Sequence, residues 1–274
     1  MNTARDEEIA ASALTRIPPP SPATSLRAAG LTGAVRAEWS KLCSLRTPYI
    51  CLLVGVVLTG VFTFYYGSLA RINAKPVQPL GNASVSSVVL GQFVIIVLAM
   101  TMVTGEYVTG SVRTSLLWVP VRHRMQLAKS LVAAVVSFVA GVVFAVVGMA
   151  VAWIPFRGHA SFDLFQATGQ ALAQGVYCAL VAVLTVGAAF ALRTAAGTLS
   201  AVFVLVSFLP SMCTALGGPF LLAVDDYLPQ TSGIHFMLGK ADGPYPSPVG
   251  ILIVAAWAAV AHLAGRAVLG RRNA

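Results

Sequence analysis

The sequence predicts an all-α, polytopic membrane protein with six transmembrane helices, and two observations carry that expectation. Hydrophobic residues make up 57% of the 274 and charged residues 10%, with a mean hydropathy of +0.82, whereas soluble domains are about one-quarter charged. The apolar residues are also gathered into six stretches: Tyr49–Leu69, Val85–Thr104, Leu131–Ile154, Gly169–Leu192, Leu199–Leu216 and Val249–Leu269. Each is close to the about 20 residues that a helix rising 1.5 Å per residue needs to cross a hydrocarbon core about 30 Å thick. The remaining residues are too scattered for a second globular domain.

Residues 1–24 are expected to form a disordered tail. They begin acidic (Asp6, Glu7, Glu8), run through Pro18, Pro19, Pro20 and Pro22, and hold no apolar core of signal-peptide length. The first span is therefore expected to serve as the targeting signal. Residues 25–47 are expected to hold an amphipathic helix before Pro48 turns the chain into the first span. At 100° per residue, Leu31, Val35, Trp39, Leu42 and Leu45 share one arc, and Arg36, Lys41 and Arg46 suit headgroup depth. Glu38 is the misfit among these apolar residues. It either pairs with Lys41 three residues on or contacts a partner protein.

Between the second and third stretches, Glu106 closes a span, Gly110 permits a change of direction, and Ser111 can cap a short helix through Leu117 that Pro120 breaks. Leu116, Leu117 and Trp118 need cover, from lipid headgroups or from a groove on another protein. The third stretch then carries Ala133, Ser137, Gly141 and Ala145, and the fourth Ala171, Gly175 and Ala179. These smooth ridges let backbones approach, within the chain or across a subunit boundary. Gln92, Gln170 and Gln174 are expected to hydrogen-bond between helices, and His262 to be a packing residue. Cys43, Cys51, Cys178 and Cys213 share no metal-ligand spacing and are expected to act as small apolar fillers.

An even number of spans puts both termini on one side. Of the eighteen basic residues, only Arg71, Lys75, Arg157 and Lys240 fall on the other side, where Asp163, Asp225, Asp226 and Asp242 balance them. The whole net charge of +9 therefore sits on the terminal side, which the positive-inside rule makes cytoplasmic. Positive charge rimming helix ends suits an anionic leaflet, and no nucleic-acid partner is expected. Within the stretches the only Asp, Glu, Lys or Arg is Arg266, near a helix end. An ion-coupled carrier usually keeps ionisable groups at mid-membrane, so the energy for any transport is expected to come from elsewhere.

Two motifs resemble the permease subunits of type-2 ATP-binding-cassette (ABC) transporters. One is Glu38-Trp39-Ser40-Lys41-Leu42 with Ser44 and Arg46, similar to the family's pre-membrane E-x-x-K-L-x-S-x-R pattern. The other runs from Glu106 through Gly110, Arg113 and Leu116 to Pro120, Arg122 and Lys129, similar to the loop after the family's second span. The chain departs from that pattern at His123, where many relatives have arginine. The resemblance implies an interface helix with Glu38, Trp39, Lys41 and Arg46. It also implies a coupling helix at Ser111–Leu117, with Glu106, Gly110, Arg113, Leu116, Pro120 and Arg122 engaging a separate ABC ATPase.

It further implies a short re-entrant helical element between spans five and six, for which Gly218–Pro248 is long enough, and a homodimer or a heterodimer with a second permease in a bacterial plasma membrane. The chain would be a transport subunit with no cofactor of its own, ATP being held by the partner, and it would export a hydrophobic or amphipathic compound. The nearest approach to a phosphate loop, Gly233 through Gly239-Lys240, has the wrong spacing and no following Ser or Thr. The competing readings are a membrane-embedded enzyme, for which Asp225, Asp226, His235, His159 and Asp163 are the nearest candidates, and an ion-coupled carrier.

Overall fold

The computed structural model describes residues 30–73, 76–110, 122–156, 158–239 and 243–271, with Arg122 described by its backbone alone. An amphipathic helix α1 (Leu31–Ser44) precedes a bundle of long helices: α2 (Thr47–Ile72), α3 (Gly81–Thr109), α4 (Arg122–Ala152) and α5 (Leu164–Leu192). The fifth span is α6 (Ala195–Phe203), a π-helical turn (Val204–Phe208) and α7 (Leu209–Leu216). The short helices α8 (Pro219–Asp225) and α9 (Pro229–Leu238) lead to α10 (Ser247–Arg271). Among the described residues, six helices are long and apolar enough to cross a membrane, so the fold is an all-α polytopic one.

Helices α3 and α5 form the centre, with 61% of their most apolar windows inside the protein, against 22% for α2, the fifth span and α10. The outer helices turn their remaining apolar surface outward, as Leu53, Val57 and Val61 of α2 do, and hydrocarbon is the solvent that suits it.

Lipid gives helices no hydrophobic reason to associate, so close packing and polar contacts must hold the bundle. The small-residue ridges meet within the chain: Gly141 of α4 lies against Cys178 and Gln174 of α5, and Gly175 of α5 against Phe138 and Val142 of α4. At the α5–α10 crossing, a Cβ on Gly187 would overlap the backbone of Ala261 and His262.

Each glutamine singled out in the sequence bonds between helices. Gln174 accepts from Ser84 Oγ at 2.8 Å, and Gln170 Nε2 donates to Asn82 Oδ1 at 3.1 Å. Gln92 accepts from Tyr177 Oη at 2.7 Å and donates to Gln230 Oε1 at 2.8 Å. His262 sits with its Nδ1 3.2 Å from Ser130 Oγ, inside the α4–α10 contact.

The fifth span is interrupted for a local reason. Pro210 has no N–H to give to the preceding turn, and its ring crowds the carbonyl four residues back, so the chain widens into the π turn just before it. On the face opposite α1, Gln78–Pro79 pairs in parallel with Ala160–Ser161, tying together the loops that follow α2 and α4.

Replacing Gly187 with Leu is expected to force α10 away from α5 and to cost about 1–3 kcal/mol, the usual range for overpacking. A lowered melting temperature of the detergent-purified protein would register the loss.

Candidate functional site: a charge ring under the amphipathic helix

Helix α1 buries a narrow face made of Ala34, Glu38 and Leu42, one residue per turn. Trp39, at 46% exposure, points away from the bundle. Glu38 thus faces the protein, where a lone carboxylate would be costly. Two lysines meet it: Lys41 Nζ lies 2.8 Å from its Oε1 and Lys129 Nζ 2.6 Å from its Oε2. The same two ammonium groups each lie 2.8 Å from Glu106 Oε1. Glu38, Lys41, Glu106 and Lys129 therefore form a closed ring of alternating sign, contributed by α1, α3 and α4.

Lys129 is the buried corner, its side chain 1% exposed. An ammonium group has three protons to place. Here they go to Glu38, Glu106 and the Met102 carbonyl at 3.1 Å. Two acids against two bases leave the ring neutral. Partial burial pulls the pKa of Lys41 down, but the hydrogen bonds and charges of Glu106 and Glu38 outweigh it and hold the group above the ordinary lysine value.

Helix α3 ends one turn beyond Glu106. Gly110 closes it at φ 70° with its N–H donating to the Tyr107 carbonyl, a left-handed cap that glycine adopts without strain. A hollow of about 830 Å³ adjoins the ring between α1 and the nearby ends of α2, α3 and α4, lined by Leu42, Leu45, Pro48, Met102 and Met125 among others. Apolar packing thus holds α1 only in part, and the ring is its main polar tie to the bundle.

Of the residues singled out in the sequence, Glu38, Lys41 and Glu106 come together. Trp39 and Arg46 are exposed, and Gly110 is the cap. Arg113, Leu116, Pro120 and the proposed coupling helix lie outside the described residues, as does the side chain of Arg122. For Glu38, the local pair with Lys41 is present but is half of the answer, because Lys129 shares the carboxylate.

Lys129 closed the second motif in the sequence but was not among the residues expected to engage a partner. Its signal was the cost of a lysine amid an apolar run, which demands a partner, but the third span was expected to begin only at Leu131, leaving Lys129 outside it. Helix α4 instead starts at Arg122 and carries Lys129 two turns in.

A six-helix membrane bundle with an amphipathic helix pinned across one end has the architecture of a membrane transport subunit. The family model for ABC-2 family transporter proteins matches residues 34–217, about two-thirds of the chain, including the ring and five of the six spans. The chain belongs to that family. A comparison with curated proteins finds no match.

Substituting Lys129 with Ala is expected to cost about 3–5 kcal/mol by leaving buried carboxylates short of a counter-charge. The paired change Lys129→Met with Glu38→Gln removes one charge of each sign and should recover most of the loss. Denaturation of the three proteins in the same detergent compares them, and an unperturbed Lys129→Ala would show that the ring does not hold α1.

Proposed function

We propose that this chain is the membrane-spanning permease subunit of an ATP-binding-cassette exporter, with the face bearing α1 in the cytoplasm of a bacterial cell. The single observation that carries the reading is the ring. It joins the last turns of α3, from which residues 111–121 depart, to α1 and to α4. A force applied to that segment from below would reach three helices at once, which is what an ATPase needs in order to move a bundle. The ATPase is a separate chain in this reading, docking through Ser111–Leu117 with Arg113, Leu116, Pro120 and Arg122, while α1 lies at headgroup depth with Trp39 and Arg46 toward the lipid. The permease acts as a pair, with a second copy or with a related subunit, and its apolar spans suit a hydrophobic or amphipathic substrate. The family match supports the permease role, and the excess of basic residues on the terminal side supports the orientation.

Co-purification of a nucleotide-binding subunit with this chain is the expected result of pulling it from native membrane. In vesicles holding both subunits, Glu106→Ala and Arg113→Glu are each expected to abolish ATP-dependent export while membrane insertion stays intact. Unaltered export in both variants would refute the coupling assignment. A protease site added after the last residue should be cut in inverted vesicles and protected in intact cells; the reverse pattern would overturn the orientation.

A further inference from the structure

The face opposite α1 holds a second hollow, whose lining is part polar and part apolar. It measures about 500 Å³ and lies between α7 and α9, bordered by Ser211, Thr214, Asp225, Gln230, Thr231 and His235. Asp225 and His235, the sequence's nearest candidates for an embedded enzyme, both lie on the wall of this one cavity. Asp225, the last residue of α8, is 6% exposed, and Thr231 Oγ1 donates to its Oδ1 at 3.0 Å.

The ion pairs among the described residues all belong to the ring at the other end, so Asp225 has no counter-ion there. Burial raises its pKa, the Thr231 hydroxyl offsets part of that rise, and the charge of the neighbouring Asp226 adds to it. A cation entering the hollow would relieve this uncompensated charge. A metal ion suits it poorly, because among the described residues no three His, Cys, Asp or Glu side chains gather to hold one.

The rest of the lining is apolar: Pro210 on α7 and Ile234 and Leu238 on α9 stand beside these polar groups. The wall is joined to the bundle's interior: Gln230, which lines the hollow, accepts at Oε1 from Gln92 Nε2 at 2.8 Å and from Ser207 Oγ at 3.3 Å, and Ser207 lies in the π turn. A charged head against Asp225 with a tail against Pro210, Ile234 and Leu238 would satisfy both kinds of surface.

We propose that this hollow binds the ammonium head group of a cationic amphiphile, with Asp225 as its counter-ion and Gln230 and Thr231 as its polar neighbours. The inference rests on the transport reading above and narrows its substrate class from amphipathic to cationic amphiphilic.

The test uses the full chain in nanodiscs of neutral lipid without any ATPase, so that a failure of coupling cannot be mistaken for a failure of this site. Dodecyltrimethylammonium, below its micellar concentration, is titrated by calorimetry against dodecyldimethylamine oxide, which has nearly the same shape and no net charge. The wild type is expected to bind the ammonium at least tenfold more tightly. Asp225→Asn should reduce that preference to twofold or less, Asp225→Glu should keep most of it, and Thr231→Ala should weaken it severalfold. Equal binding of the two probes by the wild type would overturn the proposal without reference to any variant, and so would an undiminished preference in a folded Asp225→Asn. Binding that follows the expected pattern, with no ATPase found to associate, would leave the site standing and sink the ABC mechanism instead.

Discussion

Everything at the α1 end of the molecule depends on keeping Lys129 paired. An ammonium group buried two turns inside a membrane-facing helix is tolerable only while all three of its protons are taken up, and here two of the acceptors are carboxylates from other helices. Helix α1 cannot lift away without removing Glu38 from Lys129. The end of α3 cannot move independently without removing Glu106 from both lysines. Because Lys41 bridges the same two acids, the ring closes on itself, and each helix is held by more than one pair. Such a ring costs desolvation and is weak grounds for net stability. What it supplies is a fixed arrangement of three helices around the hollow beside α1.

The interior of the bundle follows a different rule. Between α4 and α5, and between α5 and α10, contact is made by removing side chains rather than adding them, so that Gly141, Gly175 and Gly187 bring backbones close. Polar bonds then select the partners. Tyr177 of α5 and Gln230 of α9 both bond to Gln92 of α3, and Gly233 leaves room for the Tyr177 ring. These contacts seat α9 against the two central helices although it is too short to span a membrane.

The spans were legible because length and hydropathy decide them, and so was the interhelical role of Gln92, Gln170 and Gln174, since an amide surrounded by hydrocarbon must bond to something. Helix ends were less legible. Helices α3 and α4 both extend beyond their apolar windows, α3 at both ends and α4 at its start, as polar residues continue the helix where partners exist. That extension brought Lys129, which the sequence showed only as the last residue of a motif, into the site. Glu38 shows the same limit: its neighbour at three residues can be read from spacing, whereas a partner 91 positions away cannot. The π turn had its sign in Pro210, a proline inside an apolar run. Asp225 and His235 were grouped in the sequence only as the nearest candidates for an embedded enzyme; the hollow they share depends on how two short helices fold back between spans.

One helix connects the two ends. Helix α3 carries Glu106 in the ring and Gln92 in the amide network, fourteen positions apart and thus about 21 Å along an unbroken helix. From Gln92 the contacts continue to Gln230, on the wall of the second hollow, and to Ser207, where the fifth span loses its regular bonding. Hydrogen bonds fail within a few tenths of an ångström of their optimum, while a helix slides or tilts as a body. Any displacement of α3 large enough to rearrange the ring must therefore also be felt at Gln92, next to a span built with a loosened turn.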